Sequence, residues 1–410
     1  MGNMLRIRPF QGLRPAPSLA PQVACVPYDV VDRDEAAVLA RGNPASLLHV
    51  DRAEIDLPPA TDPYSDAVYA KARENFTRLQ TEGTLIRETG RVVYLYQQIM
   101  GSHVQTGIAA LCHIDDYENN LIKKHEKTRK DKEDDRTRLI DTLSADTGPV
   151  FLTYRDQGAV DRFVDEARRD APLYDFTAPD GIRHTVWRVE HADQLVADFG
   201  RVPCAYVADG HHRTASAVRV GKERRAANPS HTGSEEYNWF LAVLFPASQL
   251  NILPYNRCVH DLNDRTGEEL VAALKAAGFQ VDDAGEATPP GPGEVRMYLG
   301  GKWSRVGWTP DPQADPIARL DVTVLQDRVL APLLGIDDPR TSKRIDFIGG
   351  IRGTGELERR VNDGRAAVAF SMYPTTVEQL MDIADAGAIM PPKSTWFEPK
   401  LRSGLFIHTF

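Results

Sequence analysis

The stretch from Cys204 to Thr214, CAYVADGHHRT, restricts the folds open to this chain more than any other. Val202 to Val207 is apolar and β-prone, which predicts a short buried strand. Asp209 and Gly210 break that run, and Thr214 to Lys222 then carries Ala and Val at helical spacing. A strand, a glycine turn and a helix in that order aim backbone N–H groups and the positive helix end at one spot. The product is an anion site. His211, His212 and Arg213 crowd the turn, and Asp209 adds a metal ligand or a base. Folding alone has no need of so many polar groups at one turn, so this is the first candidate site.

At 410 residues the chain is too long for one ordinary core, and two or three domains are expected. A hydrophobic share of 42% and a charged share of 26% are those of a soluble globular protein. The net charge of −9 argues against a nucleic-acid binder. Cys25, Cys112, Cys204 and Cys258 form no CxxC pair and lie in apolar runs, as reduced thiols of a cytoplasmic protein do. No run approaches the ~18 apolar residues of a membrane span, and the N-terminus lacks a signal-peptide core.

Along the chain, Val23 to Val26 reads as a strand, and Asp32 with Glu35 as the cap of a helix to about Ala40. Ser46 to Val50 reads as another strand, and Tyr64 to Gly83 as an amphipathic helix closed by glycine. Val92 to Met100 and Gln105 to Ile114 flank Gly101-Ser102 as a hairpin. Gly148 to Tyr154 and His184 to Val189 are further strands. Tyr237 to Pro246 is the strongest apolar run and suits a buried central strand. A boundary is expected near residue 250, followed by the helix Glu268 to Ala277, two strands in Val295 to Trp308, and a helix from Val377. The alternation predicts an α+β or mixed α/β protein in three parts, 1–104, 105–250 and 251–410.

Two other polar blocks compete with the turn. In Ile122 to Arg136, IKKHEKTRKDKEDDR, the part from Thr128 reads as a solvated helix with pairs such as Lys130 and Asp134. Lys123, Lys124, His125 and Glu126 stand instead at a strand–helix junction, where reactive groups project. The fourth residue after His125 is Arg129, so HExxH is not formed and the local pattern argues against zinc. Met390 to Leu405, MPPKSTWFEPKLRSGL, gathers Lys393, Ser394, Thr395, Lys400, Arg402 and Ser403 around prolines. Its glycine spacing excludes a Walker A loop, yet its basic and hydroxyl groups suit an anion. Arg340 to Gly355 does not match GxGxxG, and no GxSxG is found.

Taken together, RPFQGLRP, VPYDVV, the KKHEKT–KEDDR block, VADGHHRTA and MPPKSTWFEPKLRSGL identify the chain as resembling the domain of unknown function 1015 family, nearly end to end. VADGHHR is also similar to the phosphate-binding turn of the ParB/sulfiredoxin-like fold, which includes free-serine kinases. The resemblance implies a nucleotide-binding core of that fold with N- and C-terminal α/β additions that the small kinases lack.

It further implies a small-molecule kinase using ATP or ADP with Mg²⁺, acting on free L-serine or a related hydroxy compound. By analogy Glu126 is the general base, with Asp209 and His212 beside it and Asp209 as the Mg²⁺ ligand. Gly210, His211, Arg213, Thr214, Lys123 and Lys124 would hold phosphate or nucleotide, with Lys393, Ser394, Thr395 and Lys400 as a second anionic contact. A non-catalytic nucleotide-binding regulator and a hydrolase of phosphorylated small molecules remain as alternatives. The expected partners are a nucleotide and a small molecule, with neither nucleic acid nor membrane.

Overall fold

The computed structural model describes residues 4–410, a mixed α+β protein in two compact units. The chain divides between Leu250 and Asn251, and the final segment, Pro399–Phe410, rejoins the first unit.

The first unit is built on a nine-stranded mixed sheet. Its strands are β1 (Ile7–Arg8), β2 (Val93–Met100), β3 (His103–His113), β4 (Ile122–Lys123), β5 (Val150–Tyr154), β6 (Tyr174–Thr177), β7 (Arg183–Val189), β8 (Ala205–Asp209) and β9 (Trp239–Pro246). They lie in the order β4-β8-β5-β9-β3-β2-β7-β6, with β1 pairing β3 from Ile7 opposite Cys112. The β4–β8 and β9–β5 pairs are parallel, and every other pair in this sheet is antiparallel. β9 is buried along nearly its whole length, as its unbroken apolar run requires. Leu95, Ile108, Leu152, Val207 and Leu244 meet in the core of this sheet.

The helices α1 (Arg33–Ala40), α2 (Asp66–Thr81), α3 (Lys130–Leu143) and α4 (His211–Ala227) carry the rest. Asp32 and Glu35 cap α1 reciprocally, as their spacing predicts. α3 packs beside α4. Arg219 reaches Asp134 at 2.6 Å, and Ser216 Oγ donates to the Glu133 carbonyl at 3.0 Å.

Two predicted strands are not strands. Residues Leu48–Asp51 form a helical turn, with the Asp51 N–H donating to the Leu47 carbonyl at 2.9 Å. A short apolar run satisfies either state, and here Leu47, Leu48 and Val50 turn into one helical core. Near Val23 the chain is helical over Ala20–Val23, and Cys25 alone bridges to Ser403. Residue 104, expected as a domain boundary, lies inside β3, where the β2–β3 hairpin ties both sides into one sheet. Residues 399–410, expected with the C-terminal part, thread back through the first unit: Ile407 bridges Leu13, and His408 pairs with Asp146.

The second unit has its own six-stranded antiparallel sheet. Its strands are Tyr255–Val259, Gln280–Asp283, Glu294–Leu299, Lys302–Gly307, Ile345–Gly349 and Val368–Ser371. The two strands predicted in Val295 to Trp308 are present and pair as a hairpin. No helix among the described residues is long and apolar enough to cross a membrane.

Candidate functional site

The pairing of β4 with β8 brings the two polar blocks together. Ala205 lies opposite Ile122 and Tyr206 opposite Lys123, in parallel. Parallel neighbours end on the same sheet edge, so the segment after Lys123 and the turn after Asp209 emerge side by side.

At that edge Gly210 takes φ +91°, a left-handed conformation that glycine adopts without strain. A Cβ there would stand 3.1 Å from the Arg213 guanidinium, so the turn is closed from behind as well. α4 begins at His211, and its first-turn N–H groups are those a helix leaves without helical partners. Thr214 is buried and donates its hydroxyl to the Gly210 carbonyl at 3.0 Å. Its donor is therefore committed to the turn, leaving only lone pairs toward any phosphate.

Asp209 lies between two cations, with Arg213 Nη2 at 3.5 Å and Lys400 Nζ at 3.6 Å. Burial alone would raise its carboxyl, but Lys400 and Arg213 outweigh that and hold it below its ordinary value. Arg213 is buried, donates to the Pro149 carbonyl and lines a cavity of about 30 Å³ with Tyr28, Asp51, Arg136, Thr147 and Ser403. Burial raises the Asp51 carboxyl, against the pull of Thr147 and Arg136. That cavity has room for roughly two waters. Arg213 thus supports the turn from inside.

The two adjacent histidines separate. His212 Nε2 accepts the Arg129 N–H at 3.0 Å, pinning the residue that precedes α3, and burial lowers its pKa. His211 turns the other way, 6% exposed, with Nδ1 3.8 Å from Glu126 Oε2. Burial pushes its pKa down to about 4, against the opposing pull of Asp209. Its ring stands edge-on to His125, centroids 4.5 Å apart at 90°. Glu126 therefore meets His211, while the imidazole of His212 serves α3. Lys123 lies over Tyr206 at 6.0 Å and Lys124 over Tyr117 at 4.5 Å, the latter exposed.

The C-terminal block splits. Lys400 comes to Asp209, held by its carbonyl accepting from Gln98 Nε2 at 2.8 Å. Arg402 is bound to His184 and Asp180, and Ser403 exchanges backbone bonds with Cys25. Lys393, Ser394 and Thr395 belong to the second unit. There the Lys393 carbonyl accepts from Arg257 at 3.1 Å, and Ser394 Oγ donates to the Pro391 carbonyl at 2.6 Å. Asp51 and Arg136 are not candidates in the sequence, and His125, named there at its junction, carries no assigned role. Only the parallel strand pair and the buried helix contacts bring them near the turn.

Asp209 could take a Mg²⁺ ion as a carboxylate ligand, but Lys400 and Arg213 already neutralise it. It fits better as one oxygen of a shell completed by nucleotide phosphates and water.

The fold and site define a mixed α+β protein with a strand–turn–helix junction crowded with charged groups of both signs. The chain belongs to the family described as protein of unknown function (DUF1015), which matches residues 7–323. No curated protein matches it. Among solved structures, a conserved hypothetical protein from Pyrococcus furiosus is 13% identical, with a TM-score of 0.36 over 73% of this chain and 94% of that one. A free serine kinase in complex with AMP is 13% identical, with a TM-score of 0.38 over 73% and 91% of the two chains. SbnI with C-terminal truncation from Staphylococcus aureus is 12% identical, with a TM-score of 0.39 over 73% and 87%.

Proposed function

We propose that this protein is a cytoplasmic small-molecule phosphotransferase with a ParB/sulfiredoxin-like core, moving a phosphoryl group from ATP or ADP to a hydroxyl. The observation that carries this reading is the meeting of Glu126 with the α4 N-terminus at one sheet edge, beside Asp209, Arg213 and Lys400.

Phosphoryl transfer asks a protein for positioning and charge neutralisation more than for covalent chemistry. The first-turn N–H groups after Gly210 and the positive helix end receive phosphate oxygens. Lys400, Lys123 and Lys124 add positive charge, and Arg213 holds the turn in shape from behind. Mg²⁺, when bound, neutralises charge on the phosphates. Glu126, 47% exposed at its side chain, is the carboxylate placed to accept the hydroxyl proton of the acceptor. His212 positions α3 through Arg129.

The test is product formation. The purified chain is incubated with ATP or ADP, Mg²⁺ and a panel of hydroxy compounds beginning with L-serine, and phosphorylated product is followed by mass spectrometry. Nucleotide consumption that depends on the acceptor is expected. Consumption without an acceptor points to a hydrolase, and tight nucleotide binding with no consumption points to a regulator. Either result ends the phosphotransferase reading.

A further inference from the structure

The least explained feature of the first unit is a pair of imidazoles, buried without good partners. His125 is 1% exposed and His211 6% exposed. Both ring nitrogens of His125 and Nε2 of His211 lack hydrogen-bond partners, although the Val207 backbone approaches His125 outside good geometry. Buried polar atoms in native proteins are nearly always satisfied, so such a cluster calls for a missing partner. Glu126 closes it. One ligand atom from each of His125, Glu126 and His211 lies within 4.8 Å of the other two.

The donor set selects the kind of partner. Two buried imidazoles with unpartnered ring nitrogens and one carboxylate bring three lone-pair donors within reach of a single ion. A hard cation such as Mg²⁺ or Ca²⁺ prefers an all-oxygen shell, whereas two imidazoles with one carboxylate suit first-row transition metals.

We propose that His125, Glu126 and His211 form a three-ligand site for a divalent first-row transition cation, Zn²⁺, Co²⁺ or Mn²⁺, with its remaining positions open to water or a substrate oxygen. Bonds of about 2.0–2.2 Å set ligand separations near ~3.3 Å, so the three groups must close by at most about 1.5 Å. Glu126 can supply that movement, since its side chain is 47% exposed on the segment between β4 and α3. HExxH and its relatives mark sites whose ligands share one helix. Here the ligands come from the ends of two parallel strands, and no local pattern records them.

The proposal shares Glu126 with the phosphotransferase reading but does not depend on it. A carboxylate that binds through one oxygen keeps lone pairs on the other. The experiment therefore reads binding rather than turnover. The full chain is stripped with chelator and titrated with Co²⁺, followed by visible absorption and by metal-to-protein ratio after gel filtration, with Zn²⁺ as competitor.

One ion per chain is expected, with Glu126→Gln and His211→Ala each weakening it by roughly 100-fold, and His103→Ala leaving it unchanged. Thermal unfolding with and without Zn²⁺ provides a second readout: the metal should raise Tm in the native chain and not in Glu126→Gln, a half-exposed change that leaves folding intact. No stoichiometric binding, or binding indifferent to Glu126→Gln and His211→Ala, overturns the proposal. Loss of binding alongside intact acceptor-dependent turnover ends the metal site and leaves the phosphotransferase. Binding without any turnover does the reverse.

Discussion

The first unit buries histidines in two ways. His184 and His408 hold the returning C-terminal segment, and each has both nitrogens engaged. His184 lies between Tyr96 Oη at 2.8 Å and Arg402 Nε at 3.3 Å. His408 lies between Asp146 and Glu236, 3.3 Å from each. His125 and His211, equally buried, have no such partners on three of their four nitrogens. Where this fold uses an imidazole to build structure, it satisfies it. The unsatisfied pair sits at the one sheet edge where a glycine turn, a helix end and a carboxylate also converge.

The largest expected effect sharpens that contrast at the site. Glu126→Gln keeps the shape but removes the proton acceptor, so acceptor-dependent turnover should fall by ~10²-fold or more while nucleotide binding stays nearly intact. Steady-state rates with a parallel nucleotide titration measure it. Full turnover in the variant reduces Glu126 to a solvated neighbour of His211.

Next come the two histidines that hold the tail, His184 on β7 and His408 within it, which should respond to pH with opposite signs. Burial, reinforced by Arg402, drives His184 from 6.5 to about 3, so the folded chain refuses a proton that the unfolded chain takes. Stability from this group is intact above pH 6.5 and falls as the pH drops from there toward 3, by a few kcal/mol (order of magnitude). Burial alone would lower His408 too, but Asp146 and Glu236 raise it above 6.5. Its contribution is full below pH 6.5 and is lost as the pH rises through its raised folded value. Arg91 and Arg8 also face Glu236, which is held at about 2 despite its partial burial. Urea unfolding across pH should therefore show His408→Gln destabilised most at acid pH and converging with the native chain at alkaline pH. His184→Gln should lose stability less steeply on acidification than the native chain. Parallel profiles for both variants break the distinction.

A smaller effect is expected at the turn. Arg213→Ala should lower Tm because the Pro149 carbonyl loses its donor, and the loosened turn should weaken nucleotide binding by at most about 2 kcal/mol, the scale of that lost charge-assisted bond. Arg213→Lys should recover only part of either, since the planar fork is lost. Calorimetric titration with ADP and a melting curve separate the two contributions. If affinity is unchanged while Tm falls, Arg213 is support alone.

The smallest lies on the solvated face of α3. Lys130 and Asp134 pair at 2.8 Å in the open, so Lys130→Ala should leave Tm and turnover unchanged within error. A clear loss of turnover would extend the site along α3.

Much of this was legible without coordinates, and particular residues show why. Asp32 with Glu35 spelled a capping box, and Gly101-Ser102 between two apolar runs spelled a hairpin, because both depend on neighbours a few positions away. Gly210 between a buried run and a helical pattern marked its turn for the same reason. Ser46 to Val50 reads as a strand yet turns helical, because so short an apolar run fits a strand and a helical turn alike. His212, expected beside Glu126, and His211, expected at phosphate, take other places because successive helix positions send one ring to Arg129 and the other to His125 and Glu126.

The sequence by itself determined the α+β alternation, the strand–glycine–helix turn at Asp209 to His211 and the concentration of charge around it. These follow from local sterics and from the periodicity of apolar residues. Only the tertiary structure decided which distant groups meet there. The parallel register of β4 and β8 placed Glu126 beside His211, and the returning tail brought Lys400 to Asp209 while Lys393 stayed with the second unit. Such pairings are set by which buried faces pack together across long loops, and spacing along the chain carries no trace of them.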